Sequence, residues 1–248
     1  MILTIAWREL KSLFLSPLAW AILAVLQGVL GYLFLARVGE LQLYRAQLLA
    51  MESAPGTTEL VVPALFGSAA IILLLVVPLI TMRLIAEERR NRTLPLLFSA
   101  PVSMTEIVLG KYLGVLLFLL LIVALIALMP LALLAGGTLD FGLLGSALLG
   151  LTLAVASFAA IGTFMSTMTQ HPTVAAIAGF GVLVLFWIID PGQNSPRDSI
   201  VAYLSMFNHY QPFLSGVFDT GDAIYHLLVV VTFLALSIRR LDADRLGG

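Results

Sequence analysis

Apolar and polar positions alternate along this chain in long blocks. Six apolar runs stand at about residues 18–35, 60–85, 107–135, 142–168, 173–189 and 223–238, separated by shorter polar stretches. Each run is of the length a helix needs to cross a bilayer, about 20 residues with a usual range near 17–25. The pattern therefore predicts an all-α integral membrane protein of six transmembrane helices, forming a single domain over residues 1–248. Pro63 and Pro78 fall inside the second run and Pro130 near the end of the third, and Pro78 is placed to kink its helix.

Three stretches between or before the runs carry pattern of their own. In residues 1–16, Leu3, Ala6, Trp7, Leu10, Leu13 and Phe14 repeat at helical spacing, with Thr4, Arg8, Lys11 and Ser12 opposite. That is an amphipathic helix lying on the membrane surface, anchored by Trp7, Arg8 and Lys11. Ser16-Pro17 then turns the chain. The alternative is that these residues simply begin the first span. Residues 37–59 are polar and acidic-leaning, with Pro55-Gly56 as a turn signal.

Between the second and third runs stands MRLIAEERRNRTLPLLFSAPVSMTEIVLGKYLG, with Arg83, Glu87, Glu88, Arg89, Arg90, Arg92, Glu106 and Lys111. So much charge cannot sit in hydrocarbon, so this segment must project into water. Thr93 suits a helix N-cap and Pro95 a first turn. Leu94, Leu96, Leu97 and Phe98 then make a short apolar helix before Pro101, and Ser103 with Glu106 forms a capping box for the next span. Such a helix can plug a groove on a soluble partner, or lie among anionic headgroups.

In residues 190–221, Ser195-Pro196-Arg197-Asp198 reads as a helix start. Tyr203, Phe207 and Tyr210 come next at helical spacing, with Phe213 and Phe218 beyond, and Asp219 and Asp222 can cap the last span. This predicts a re-entrant or interfacial pair of short helices, serving as gate, partner contact or aromatic belt.

Composition sharpens the picture. The chain is 60% apolar and 11% charged, against about 25% charged in soluble domains. It has no cysteine, which removes disulfides and thiolate chemistry. The first apolar run is too long for a cleavable signal peptide. Counting Lys and Arg by alternate loops, one side holds Arg8, Lys11, Arg83, Arg89, Arg90, Arg92, Lys111, Arg239, Arg240 and Arg245, and the other only Arg37, Arg45 and Arg197. The positive-inside bias places both termini and the charged segment in the cytoplasm.

Candidate chemistry is sparse. The spans lack the mid-membrane carboxylates and bases of ion-coupled carriers, which argues against a secondary transporter. There is no phosphate loop, no H-E-x-x-H and no G-x-S-x-G, so no catalytic residue is assigned. His209 beside Met206 is better read as a hydrogen-bonded structural histidine than as a metal ligand. Small residues recur at helical spacing, with Ser146, Gly150 and Ala154, then Gly162 and Ser166, then Ala175 and Gly179. They serve packing within one subunit.

The charged segment resembles the cytoplasmic loop of ABC-2 type transporter permeases, through Glu87, Glu88, Arg89, Thr93, Leu96, Leu97, Pro101, Val102, Ser103, Ile107, Gly110 and Lys111. Arg92 stands where those proteins usually have Gly, and Pro95 where Glu is common. The C-terminal part resembles the subgroup first associated with gliding motility, through Phe207, His209, Phe213, Gly216, Asp219, Asp222, Tyr225, Phe233 and Arg239. The resemblance implies a bacterial inner-membrane permease subunit of an ATP-driven transporter. A second permease chain, making a homodimer, and separate ABC ATPase subunits would complete it, with a possible extracytoplasmic auxiliary subunit. ATP and magnesium would sit on the ATPase, leaving this chain without a cofactor. It would make residues 86–104 the coupling segment, with Leu94, Leu96, Leu97 and Phe98 seated on the ATPase, and residues 1–16 an elbow helix. The rival reading is a non-transporting scaffold whose basic segment binds anionic lipid or a protein.

Overall fold

The computed structural model describes residues 1–49, 56–93, 102–135, 138–189 and 203–246. Among these the chain is all helical. In order the helices are α1 (Ile2–Leu15), α2 (Pro17–Leu49), α3 (Thr57–Thr81), α4 (Ala86–Arg90), α5 (Met104–Leu131), α6 (Phe141–Met168), α7 (Pro172–Ile188), α8 (Met206–Leu214) and α9 (Thr220–Leu246). A short 3-10 turn, Ala132–Ala135, succeeds α5.

Five stretches are long and apolar enough to cross a membrane: Pro17–Leu43, Thr57–Arg90, Met104–Leu134, Phe141–Met168 and Thr220–Arg245. The chain is thus a multi-pass membrane protein. The expected fifth run is a shorter apolar helix, Pro172–Ile188, of 17 residues.

Several ends differ from the sequence expectation. The helix of the first apolar run, α2, does not stop near Leu35 but runs on to Leu49, so the first part of the polar 37–59 stretch is helical. Arg37 and Glu40 pair at 2.9 Å one turn apart on it, the sort of side-chain contact that supports a solvated helix. The last helix likewise continues through the charged tail to Leu246. The helix of the second apolar run, α3, passes both its prolines and ends one turn after Pro78, at Thr81. Proline has no N–H to give to the preceding turn, so the ladder is already weakened there.

Other ends match. Ser16, in extended backbone, separates α1 from Pro17, the first residue of α2. Trp20 Nε1 donates to the Phe14 carbonyl at 2.8 Å and closes that corner. Glu106 N donates to Ser103 Oγ at 3.2 Å while Ser103 N donates to Glu106 Oε2 at 3.0 Å, completing the capping box of α5. Asp140 accepts from Gly142 N and Leu143 N at the start of α6.

α6 is the central element, packed against α3, α5, α7, α8 and α9. Its small residues make this possible. A Cβ at Gly150 would run into Phe213 of α8, one at Gly162 into Thr81 of α3, and Gly179 of α7 approaches Pro78. The expected packing role of these residues within one subunit is what the fold uses.

Candidate functional site

The charged segment begins with α4, a helix of only five residues, AEERR. A helix this short is not stable alone. It is held by its neighbours on three sides, and these contacts define the site.

The first support is Ser166 on α6. Its hydroxyl accepts from Ile85 N and Ala86 N, both at 3.0 Å, and lies 3.0 Å from the Met82 carbonyl as donor. The break between α3 and α4 leaves backbone groups without helical partners, and burial would make them costly. A single buried serine on the central helix satisfies three of them.

The second support is ionic. Lys111 of α5 is 2% exposed. Its Nζ lies 2.8 Å from Glu88 Oε1 on α4 and 3.3 Å from Glu9 Oε2 on α1. A buried ammonium is tolerated only when paired, and here two carboxylates from two other helices supply the pairing. One cation thereby joins α1, α4 and α5.

The third support is Arg89, whose guanidinium pairs closely with Asp244 near the end of α9. Asp244 also lies 3.6 Å from Arg240. α4 is therefore tied to α6, to α1 and α5 together, and to α9.

The end of α4 has a defined turn. Thr93 N donates to the Glu88 carbonyl at 3.0 Å and Arg92 N to the Arg89 carbonyl at 3.2 Å, with Arg92 at φ +56°. This is a Schellman ending, whose left-handed position is normally filled by glycine. The sequence predicts Thr93 as the cap of the next helix. Instead its amide and its hydroxyl, at 3.2 Å, both go back to Glu88. The expected short helix with Leu94, Leu96, Leu97, Phe98 and Pro101 lies outside the described residues.

α1 packs along the first half of α5 because α5 presents Gly110 and Gly114 to it. A Cβ on Gly110 would fall 2.7 Å from Ile5 Cβ, and one on Gly114 would fall 2.8 Å from the Ala6 carbonyl. The packed face of α1 carries Ile2, Ile5, Ala6, Glu9 and Leu13, while Leu3, Trp7, Arg8 and Lys11 are exposed. This corrects the face drawn from the sequence, which grouped Leu3 and Trp7 with Ala6. Rotating it brings Glu9 to Lys111.

At the opposite end of the bundle, Tyr210 and Phe213 of α8 are fully buried. Tyr210 Oη donates to the Phe66 carbonyl of α3 at 2.9 Å, and burial pushes its phenol pKa up. The Phe207 ring meets Trp187 at a tilt, with centroids 5.4 Å apart. His209 Nδ1 lies 2.6 Å from Asp222 Oδ1, Nε2 lies 2.9 Å from the Tyr203 carbonyl, and the ring stacks on Tyr225 at 3.9 Å. His209 is thus a structural histidine. Asp219 caps α9 through Gly221 N at 2.8 Å, as expected, whereas Asp222 is turned to His209 instead. Of the aromatic residues in this stretch Tyr203 and Phe218 are largely exposed. The proposed helix start at Ser195 and Asp198 lies outside the described residues.

Sequence reasoning assigned no role to Glu9, Lys111, Ser166 as a cap, or Asp244. Glu9 carried a readable signal, since it is a carboxylate three residues from Ala6 and four from Leu13, on the apolar face of its helix. No described group of three or more His, Cys, Asp or Glu residues is arranged to hold a metal.

Comparison with curated proteins finds no match. Comparison with protein families finds one that covers residues 40–238, described as the ABC-2 family transporter protein. That range takes in the last part of α2 and reaches well into α9, including α4, Lys111 and Ser166, while α1 lies before it. With well over half of its length matched, the chain belongs to the ABC-2 transporter family, as a membrane permease component of an ABC transporter that pairs with an ABC ATPase subunit.

Proposed function

We propose that this chain converts the closing of its ATPase partners into movement of its own spans through α4. The observation that carries this reading is the buried Lys111, which holds α4, α1 and α5 together at the point where the charged segment leaves the bundle. A push on residues 86–104 would reach α5 and α1 through Lys111, α6 through Ser166, and α9 through Arg89. ATP and magnesium would act on the ATPase. The substrate would be exported, or the motion would do work on an extracytoplasmic partner at the α8 end, where Tyr203 is exposed.

The arrangement favours six spans. α7 has 17 residues, a length of about 26 Å at 1.5 Å per residue, just short of a hydrocarbon core of about 30 Å. With α7 crossing, both termini and α4 share the side rich in Lys and Arg, which is the cytoplasmic side of a bacterial inner membrane. α1 would then lie in the inner interface with Trp7, Arg8 and Lys11 toward headgroups. A homodimer of permeases, the gliding-motility subgroup and an auxiliary subunit at the α8 end complete the proposal.

The test is purification from detergent with mass spectrometry of the proteins and lipids that co-purify, beside a Leu96→Asp/Leu97→Asp variant. An ATPase that accompanies the wild type and is lost from the variant supports coupling through residues 86–104. Purification without an ATPase, but with retained anionic lipid, would replace this reading by a lipid-bound scaffold.

A further inference from the structure

Beside the Lys111 node the surface opens into a cleft of about 580 Å³ between α1 and α4. Arg8, Ser12 and Arg83 line it together with the carboxylates of the node. A second groove shares Glu9, Ser12, Arg83, Leu84 and Glu87 with it and leads toward the bundle between the α1–α2 corner and α3. The walls of this groove turn apolar, with Leu13, Ala19, Ile22, Leu79 and Ile80. The two together form one channel, polar and wide at the mouth, narrow and apolar inside.

By formal count the lining balances, with Arg8, Arg83 and Lys111 against Glu9, Glu87 and Glu88, but the pairing is uneven. Glu9 and Glu88 are engaged by Lys111, and Glu87 lies 3.9 Å from Arg90. Arg8 and Arg83 are both exposed, and neither has an ion pair among the described residues. Two unpaired guanidiniums thus face the mouth of a cleft whose inner end is hydrocarbon-like. Arginine forks match phosphate oxygens, and basic pockets between spans on the cytoplasmic side suit anionic headgroups.

We infer that this channel holds one anionic phospholipid of the cytoplasmic leaflet. Its phosphate sits between Arg8 and Arg83, near the Ser12 hydroxyl, and the upper part of one acyl chain lies in the groove between α2 and α3. The two unpaired guanidiniums together with the change from polar to apolar wall favour a lipid over a protein segment. The site rests on the orientation proposed above, with α1 on the cytoplasmic face. A lipid there would touch α1, α2 and α3 at once and brace the node from its outer side.

The experiment is native mass spectrometry of the purified chain, titrated with phosphatidylglycerol or phosphatidylcholine. The wild type is expected to retain one phosphatidylglycerol about tenfold more strongly than phosphatidylcholine, and Arg8→Gln/Arg83→Gln to abolish that preference. Ala19→Trp, which fills the groove, is expected to weaken both lipids. Arg239→Gln/Arg245→Gln removes the same charge elsewhere and should leave binding unchanged. Equal retention of the two lipids overturns the site, and so does an equal loss from the Arg239/Arg245 variant. Competition by glycerophosphoglycerol as strong as by the intact lipid overturns the acyl half. Orientation is read separately, by single cysteines at Thr4 and Thr57 in a chain that has none of its own. Labelling of Thr4→Cys from outside intact cells would sink the proposed topology without touching the lipid preference measured in detergent.

Discussion

Lys111 Nζ stands 2.8 Å from Glu88 Oε1, in a position where the lysine is almost wholly buried and the glutamate belongs to a helix of five residues. The second carboxylate, Glu9, gives the cluster two acids for one base. That imbalance decides what substitution does. Lys111→Met strands two partly buried carboxylates and is expected to cost about 3–5 kcal/mol. Glu9→Gln leaves a neutral Lys111–Glu88 pair and is expected to cost about 1 kcal/mol. Equilibrium unfolding in mixed micelles measures both, and equal costs would show that Glu9 shares the charge fully.

The two glycines under α1 make a sharper comparison with one that touches nothing. Gly114→Ala puts a methyl 2.7 Å from Glu9 Cβ, and overpacking of this kind costs about 1–3 kcal/mol. Gly28 of α2 has open space around it, and Gly28→Ala is expected to be neutral or to stabilise by up to about 1 kcal/mol through helix propensity. The thermal midpoints of the two purified variants should move in opposite directions or differ by several degrees.

Two helices end in the same turn with different residues. Gly216 ends α8 at φ +79° and Arg92 ends α4 at φ +56°. A left-handed backbone costs an ordinary L residue about 1–2 kcal/mol, and glycine far less. Arg92→Gly is therefore expected to stabilise by about 1 kcal/mol and Gly216→Ala to destabilise by a similar amount. If Arg92→Gly lowers the thermal midpoint, the arginine side chain has a role that outweighs its backbone strain.

Ser166→Ala removes the acceptor shared by Ile85 N and Ala86 N. Those donors are buried, so the loss is expected to reach about 2 kcal/mol. Ser166→Thr keeps the hydroxyl and should restore part of it. Hydrogen exchange of the residue 82–90 amides is the direct readout, and unchanged protection in Ser166→Ala would show that water replaces the hydroxyl.

The apolar blocks were legible in the sequence because a bilayer admits few solutions, and each long run became a helix. The capping box at Ser103 and Glu106 and the turn at Ser16-Pro17 were equally plain, since both are local chemistry. Helix ends beyond the apolar limit were not. Residues after Leu35 and after Ile238 are polar yet helical, and polarity marks where water begins rather than where a helix stops. The node was half visible. Gly110 and Lys111 stood in a recognisable motif, and Glu88 and Arg89 in a charged run. Their partners Glu9, Ser166 and Asp244 lie 102, 81 and 155 residues away along the chain from groups they meet. No periodicity announces a pairing of that separation.

The approach of α1 to α5 has a mechanical consequence. Backbone and side chains meet over Gly110 and Gly114 with no side chain between, and Glu9 is pinned to Lys111 beside them. Sliding one helix past the other would drive Ile5 and Ala6 over the next residues of α5, which bear side chains. The pair therefore behaves as one stiff arm with a single pivot at Ser16, and α1 has no travel independent of α5.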